Sequence, residues 1–153
     1  PSRRRRRASV QEESEVFAEP VAPPPRARSD VDTTQWRMRG TVFDIISGEP
    51  IANADVVFQE PSTGRRFATS TDAQGRYRAQ LPVSSEGFDL QIRAPDYEPK
   101  YFEDSSPSYR KLSPEERQHA ADDLLRILQN RGLIQQPGGS VLNRDYVLIP
   151  LTR

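Results

Sequence analysis

The sequence predicts a mainly β protein: an antiparallel Greek-key sandwich of the seven-stranded type, with one inserted amphipathic helix and an extended N-terminal arm. Three observations carry that expectation. Short runs of β-formers alternate apolar with polar residues; turn signatures built on glycine, proline and aspartate separate them; and one stretch, 113–132, switches to helical spacing. The domain organisation follows as an arm over 1–35 and a sandwich over 36–153 that contains the helical insertion.

The arm opens with Arg3, Arg4, Arg5, Arg6 and Arg7, passes through an acidic block at Glu12, Glu13 and Glu15, and reaches Pro23, Pro24 and Pro25. Such a segment buries too little apolar surface to offset its ordering entropy, so alone it is expected to be disordered, with polyproline II character near the prolines. Its charge comes in blocks that nearly cancel. The arginine run is suited to an anionic membrane surface.

From Trp36 the pattern changes. Trp36, Met38, Gly40 and Val42 fall on one face of an extended run, with Arg37, Arg39, Thr41 and Phe43 on the other, which gives one apolar and one mixed side. Ser47-Gly48 reverses the chain and Pro50 fixes its re-entry. The second strand, 55–60, offers Val56 and Phe58 to the core. Pro61-Ser62-Thr63-Gly64 turns the chain into a third run, 65–70. Asp72-Ala73-Gln74-Gly75 reads as a tight turn, with aspartate accepting backbone N–H groups and glycine taking the positive φ. Calcium is the sharper reading of Asp72, but a loop site needs several oxygens and no second aspartate stands two residues on. The run 76–81 then points Tyr77, Ala79 and Leu81 inward, and 88–94 points Phe88, Leu90 and Ile92 inward, ending at Pro95-Asp96-Tyr97.

Ser113-Pro114-Glu115-Glu116 is a helix start, with serine as N-cap, proline in the first turn and Glu116 placed to close a capping box. The helix is expected to reach about Arg131 and stop at Gly132. Its stripe of Ala121, Leu124, Leu125 and Leu128, widened by Ile127, represents roughly 6–8 kcal/mol of apolar transfer energy if fully covered, while Arg117, Asp122, Asp123, Arg126 and Gln129 face water. Packing on its own sandwich is the first expectation, a partner surface the second. The connection 135–143 reads as loop. The last strand, 145–151, is apolar on both faces, and Pro150 places it at an edge or at a strand end.

Composition narrows function. Basic and acidic residues number 22 each, so net charge steers the chain toward neither nucleic acid nor membrane. Only Lys100 and Lys111 are lysines, an arginine bias that a GC-rich genome explains before any need for bidentate anion pairing does. Without cysteine there are no disulfides, thiolate metal sites or cysteine nucleophiles. The single histidine, His119, lies on a charged helix face and cannot assemble a zinc site or an acid-base pair. No cofactor, metal or small-molecule substrate is expected, nor a catalytic residue.

The succession Gly40-Thr41-Val42 with Asp44, then 48–56, then Thr71-Asp72-Ala73-Gln74-Gly75-Arg76-Tyr77, then 90–97 resembles the carboxypeptidase regulatory-like domains, whose sandwich is transthyretin-like; the resemblance covers roughly 36–104. It implies an accessory module, usually extracytoplasmic, that supports or connects other parts. Two reactive kinds of sandwich are set aside. Intradiol dioxygenases need tyrosine and histidine iron ligands, and one histidine cannot supply the pair. Adhesin domains with Lys–Asn isopeptide bonds need a lysine on the first strand, which here carries only Arg37 and Arg39.

The expected function is a non-catalytic structural or adaptor subunit, periplasmic or membrane-associated, that binds a larger protein assembly. Its attachment points are the arginines 3–7, the prolines 23–25, Trp36, Leu124 and Leu128, and free strand edges offer pairing by strand addition. The alternative is a carbohydrate- or peptide-binding accessory module that uses Trp36, Tyr97, Tyr101, Phe102 and Tyr109 for stacking.

Overall fold

A computed structural model describes residues 33–128 and 132–152. Residues 1–32 of the arm, with its arginine run and its prolines, and the expected helical residues 129–131 lie outside the described residues; Gln35, read as the end of the arm, opens the first strand. Among the described residues eight strands run in the order β1 (Gln35–Asp44), β2 (Asp55–Gln59), β3 (Arg66–Ser70), β4 (Arg76–Pro82), β5 (Asp89–Arg93), β6 (Tyr97–Glu103), β7 (Val141–Asn143) and β8 (Tyr146–Pro150). A 3₁₀ turn, Tyr109–Lys111, and helix α1, Pro114–Arg126, stand between β6 and β7.

One sheet has the order β4-β1-β8-β6, with β7 also on β1; the other has the order β3-β2-β5. Pairing is antiparallel except where β1 meets β7 and β8, which run parallel to it. Parallel neighbours need a long crossover, and the whole intervening chain supplies it. The sandwich is therefore mixed where an antiparallel one was expected. The residues 141–143, read from sequence as loop, form a strand that shares one register on β1 with β8. At the jog between them the Arg144 carbonyl lies over Gly40, where a Cβ would stand 1.7 Å from its oxygen. Thr41 N–H donates to Asp145 Oδ1 at 2.8 Å at the same place.

The period-two pattern builds two cores. Trp36, Met38 and Val42 of β1, Val56 and Phe58 of β2, Tyr77 and Leu81 of β4, and Leu90 and Ile92 of β5 are buried between the sheets. On the opposite face of the first sheet, Phe43 and Ile45 join Val147 and Ile149 of β8 and receive Ala121 from α1, with Leu124 and Leu125 half-buried alongside. The strand β8, apolar on both faces as expected, thus lies between two layers; Pro150 marks its end, inside the sheet and not at an edge.

Ser113 Oγ accepts from Glu116 N–H and Glu116 Oε1 accepts from Ser113 N–H, so the capping box forms. The helix stops a turn early, at Arg126. Ile127 is extended, and Lys100 Nζ from β6 donates to the carbonyls of Leu125 and Ile127 at 2.8 and 2.9 Å. A cation from another strand satisfies the last carbonyls, a role the sequence reading gave to Gly132. Arg117 does not face water: its guanidinium donates to the carbonyls of Ile46 and Leu112, tying the helix to the first β-turn.

Candidate functional site

The residues expected to bind a partner are scattered by the fold. Trp36 is 1% exposed and packs 6.4 Å from Phe88 between the sheets, so it offers no surface; its place on the apolar face of β1 is the reason. Leu124 faces the sandwich, whereas Leu128 is 92% exposed just beyond the helix. Arg3, Arg4, Arg5, Arg6, Arg7, Pro23, Pro24 and Pro25 lie outside the described residues.

The aromatic residues weighed for stacking are largely engaged inside. The hydroxyl of Tyr101 donates to the Leu90 carbonyl. That of Tyr97 donates to Asp44 Oδ2 at 2.8 Å, and burial, then this bond, push its phenol well above the usual range. Phe102 and Tyr109 pack into the helix-side core. His119 is exposed on α1.

What the fold does assemble is a groove of about 670 Å³ lined by Arg39, Arg76, Arg78, Thr69, Ser70 and Asn143. The β1–β4 register sets Arg39 directly opposite Arg78, and Thr41 opposite Arg76. Like charges opposed across an antiparallel pair destabilise a sheet. Arg39 is held by Nε donating to Asn143 Oδ1 at 2.8 Å, which fixes the guanidinium without neutralising it. Arg76 leans on Asp72, Nε to Oδ2 3.5 Å. Arg78 has no hydrogen-bond or ion-pair partner among the described residues.

Asp72 sits in its expected turn: Oδ1 accepts from Gln74 N–H and Arg76 N–H, both at 2.9 Å, and Gly75 takes φ +74°. The backbone N–H of Arg76, followed by that of Gln74 and the guanidinium of Arg76, holds this carboxyl below its ordinary value. With its oxygens committed to the turn, Asp72 offsets one of three guanidinium charges, and the groove stays cationic on a chain whose net charge is zero. Planar guanidinium groups of this kind suit carboxylates and phosphates. The signal available in the sequence was the repeated Arg-x-Arg at 37–39 and 76–78, but only the register shows that the two meet.

A second groove, about 470 Å³ and more apolar, lies between the end of α1 and β6, lined by Phe102, Leu124, Ile127, Leu128 and Ile134 among others. Among the described residues no group of three or more histidine and carboxylate side chains converges on a point, and no helix is long and apolar enough to cross a membrane.

Comparison with solved structures finds the TIE protein of Bacillus anthracis, 10% identical with a TM-score of 0.46, over 94% of this chain and 20% of that one. Catechol 1,2-dioxygenase from Pseudomonas arvilla C-1 is 16% identical with a TM-score of 0.46, over 82% of this chain and 55% of the enzyme. 3-Chlorocatechol 1,2-dioxygenase from Rhodococcus opacus 1CP is 14% identical with a TM-score of 0.44, over 80% and 62%. This chain thus spans less than two thirds of each of them, and at these scores none bears on what it does. No curated protein matches. The model of the carboxypeptidase regulatory-like domain matches residues 37–108, from β1 through β6 to the approach to α1. Residues 37–108 of this chain belong to the carboxypeptidase regulatory-like domain family, as the resemblance of the turn and strand motifs implied.

Proposed function

We propose that this chain is a non-catalytic adaptor at the cell envelope, a rigid sandwich that attaches to a larger protein assembly. The observation that carries the reading is the unneutralised Arg39–Arg78 pair. A sheet selected for stability alone avoids opposed like charges, so their presence in an open groove points to an anionic partner surface. The exposed Leu128 and the apolar groove beside it supply a second attachment point, and the arginine- and proline-rich segment 1–35 a third. The engagement of Tyr97, Tyr101 and Trp36 inside the molecule takes away the flat aromatic platform that carbohydrate binding uses, so attachment to protein is favoured over attachment to glycan.

The test is affinity capture from envelope extracts of cells that express the full chain, with captured proteins identified by crosslinking mass spectrometry. Three variants accompany it: removal of residues 1–32, Leu128→Asp, and Arg39→Glu with Arg78→Glu. A defined assembly that is lost with at least one of the three supports the adaptor reading. Capture of the same proteins by all three and by the intact chain alike refutes it.

A further inference from the structure

We infer that the arginine groove is a receptor site for a phosphate monoester, free or as a lipid headgroup, gripped between Arg39 and Arg78. It rests on the adaptor reading for taking that pair as a binding feature, and it names the anion. The groove crosses four neighbouring strands: β7 gives it Asn143, β1 Arg39 and Thr41, β4 Arg76 and Arg78, and β3 Ser70. β7 and β4 flank β1 in one sheet, and β3 faces β4 across the side of the sandwich. No residue of α1 lines it. Arg39 and Arg78 alternate with the buried Met38 and Tyr77, so they stand on the outer face, and both are exposed.

Its polar groups are nearly all donors. Asn143 Oδ1 is taken by Arg39 Nε, which leaves the amide nitrogen of Asn143 to donate. Asp72 Oδ1 is taken by two backbone N–H groups and its Oδ2 faces Arg76 Nε, while Arg76 also donates to Gln74. Asp145, which accepts from Thr41 N–H beside the groove, is paired with Arg110 at 3.9 Å. Two guanidinium charges are left over, those of Arg39 and Arg78, with an amide and the hydroxyls of Thr41 and Ser70 around them. The register stands the Cβ atoms of the two arginines roughly 4.5–5.5 Å apart, so both can reach one anion. A phosphate monoester brings about two negative charges at neutral pH and three terminal oxygens. A carboxylate brings one charge and two oxygens, which a single guanidinium fork satisfies. At about 670 Å³ the groove also has room for the organic part of the ester.

The test is isothermal titration calorimetry of the full chain with phenyl phosphate, phenyl sulfate and benzoate, which share one organic group and differ in charge and shape. Titrations at about pH 7.5 and about pH 5 bracket the second phosphate ionisation. Phenyl phosphate is expected to bind about tenfold or more tightly than either monoanion at the higher pH, and to lose most of that advantage at the lower one. The arginines, Asp72 and Tyr77 that line the groove keep their charge state across this interval, so the change belongs to the ligand. Arg39→Gln with Arg78→Gln is expected to abolish the preference. It also removes the opposed like charges, so the urea midpoint should hold or rise, which separates lost binding from lost fold. Phosphatidylcholine vesicles carrying phosphatidic acid, a monoester, or phosphatidylglycerol, a diester, distinguish the sources. A preference for phosphatidic acid that the doubly substituted protein lacks, without binding of phenyl phosphate, assigns the site to a headgroup; phenyl phosphate bound without that preference assigns it to a free ester. Equal affinity for the three phenyl anions, a preference indifferent to pH, or one kept by the doubly substituted protein overturns the inference. If neither phosphate source binds while capture of the assembly is lost with Arg39→Glu and Arg78→Glu, this inference falls and the adaptor reading stands; ester binding with no assembly captured does the reverse.

Discussion

Between the sheets, almost every inward side chain of β1, β2, β4 and β5 is fully buried; under the helix, four of the five buried residues come from β1, the turn after it and β8, and α1 itself contributes only Ala121. The same strands feed both cores by alternation, so the difference lies in what covers each face. A second sheet meets the first with rows of large side chains, whereas α1 meets it with one alanine and two half-buried leucines. Of the stripe that represents roughly 6–8 kcal/mol if covered, Leu128 adds little, being 92% exposed. Few buried contacts mean a low cost of local opening. The helix is thus a thinly buried cover on the sandwich, expected to open at a lower cost than the sheets beneath it.

The largest expected effect breaks the comparison at its strong side. Phe58→Ala, at a 0% exposed position, is expected to cost about 3–5 kcal/mol and to leave the protein unfolded at modest urea concentrations. Leu124→Ala, on the half-buried helix face, is expected to cost about 1–2 kcal/mol, near the foot of the range for leucine. Urea midpoints decide it; equal losses would show that the helix is an equal part of one core.

Next comes the jog between β7 and β8, which serves both cores because β1 passes beneath it. Gly40→Ala puts a Cβ 1.7 Å from the Arg144 oxygen, so the backbone must shift, at about 1–3 kcal/mol. The Tyr77 hydroxyl also donates to that carbonyl at 2.7 Å, so tyrosine fluorescence should report the displacement. A urea midpoint unmoved by the substitution would mean that the jog slides freely. Smaller still, Ser113→Ala removes the N-cap at about 1 kcal/mol. If the helix opens alone, hydrogen exchange speeds up across 114–126 while the amides of β2 and β4 keep their protection; loss of protection in both would merge the two regions into one cooperative unit.

The difference between the regions also explains what the sequence discloses. Where a strand has one face on the inter-sheet core, alternation is clean, and the core positions at Val56, Phe58, Tyr77, Leu81, Leu90 and Ile92 are legible. The same holds for the Asp72 turn and the capping box, whose chemistry is local. β6 is not legible, because Pro99 and Lys100 interrupt its alternation and its pairing with β8 shifts register between Tyr97 and Tyr101. β7 is three residues long and is carried by its ladder on β1 more than by its own composition. The helix end is set by Lys100, a residue on another element. The groove is the extreme case: Arg37-x-Arg39 and Arg76-x-Arg78 look like the mixed faces of two strands, and a general arginine bias accounts for them until the β1–β4 register sets Arg39 against Arg78. Surface chemistry made by pairing distant segments leaves no local mark.

The smallest expected effect separates the two regions by pH. Glu60, on the sandwich side, accepts from Arg65 Nε at 3.0 Å, from Thr63 Oγ1 at 2.6 Å and from the Ser84 hydroxyl. The bond from Arg65, with those from Ser84 and Thr63, holds its carboxyl at about 2, below the ordinary 4.5. Glu116, on the helix side, is lowered by its bonds with Ser113, the backbone N–H first. In both cases the unfolded or opened state binds the proton more readily than the folded one. The contribution is therefore complete above the ordinary carboxylate value and disappears as pH falls through the folded one. Replacement by glutamine removes the titration, and at 116 it preserves the capping geometry. Glu60→Gln is accordingly expected to flatten the fall in urea midpoint between about pH 4.5 and 2. Glu116→Gln should leave that limb unchanged and flatten only the acid-induced rise in helix opening seen by hydrogen exchange. Should Glu116→Gln alter the global limb as much as Glu60→Gln does, the helix and the sandwich titrate as one body, and the weak cover proposed as a docking region is as firmly fixed as the core beneath it.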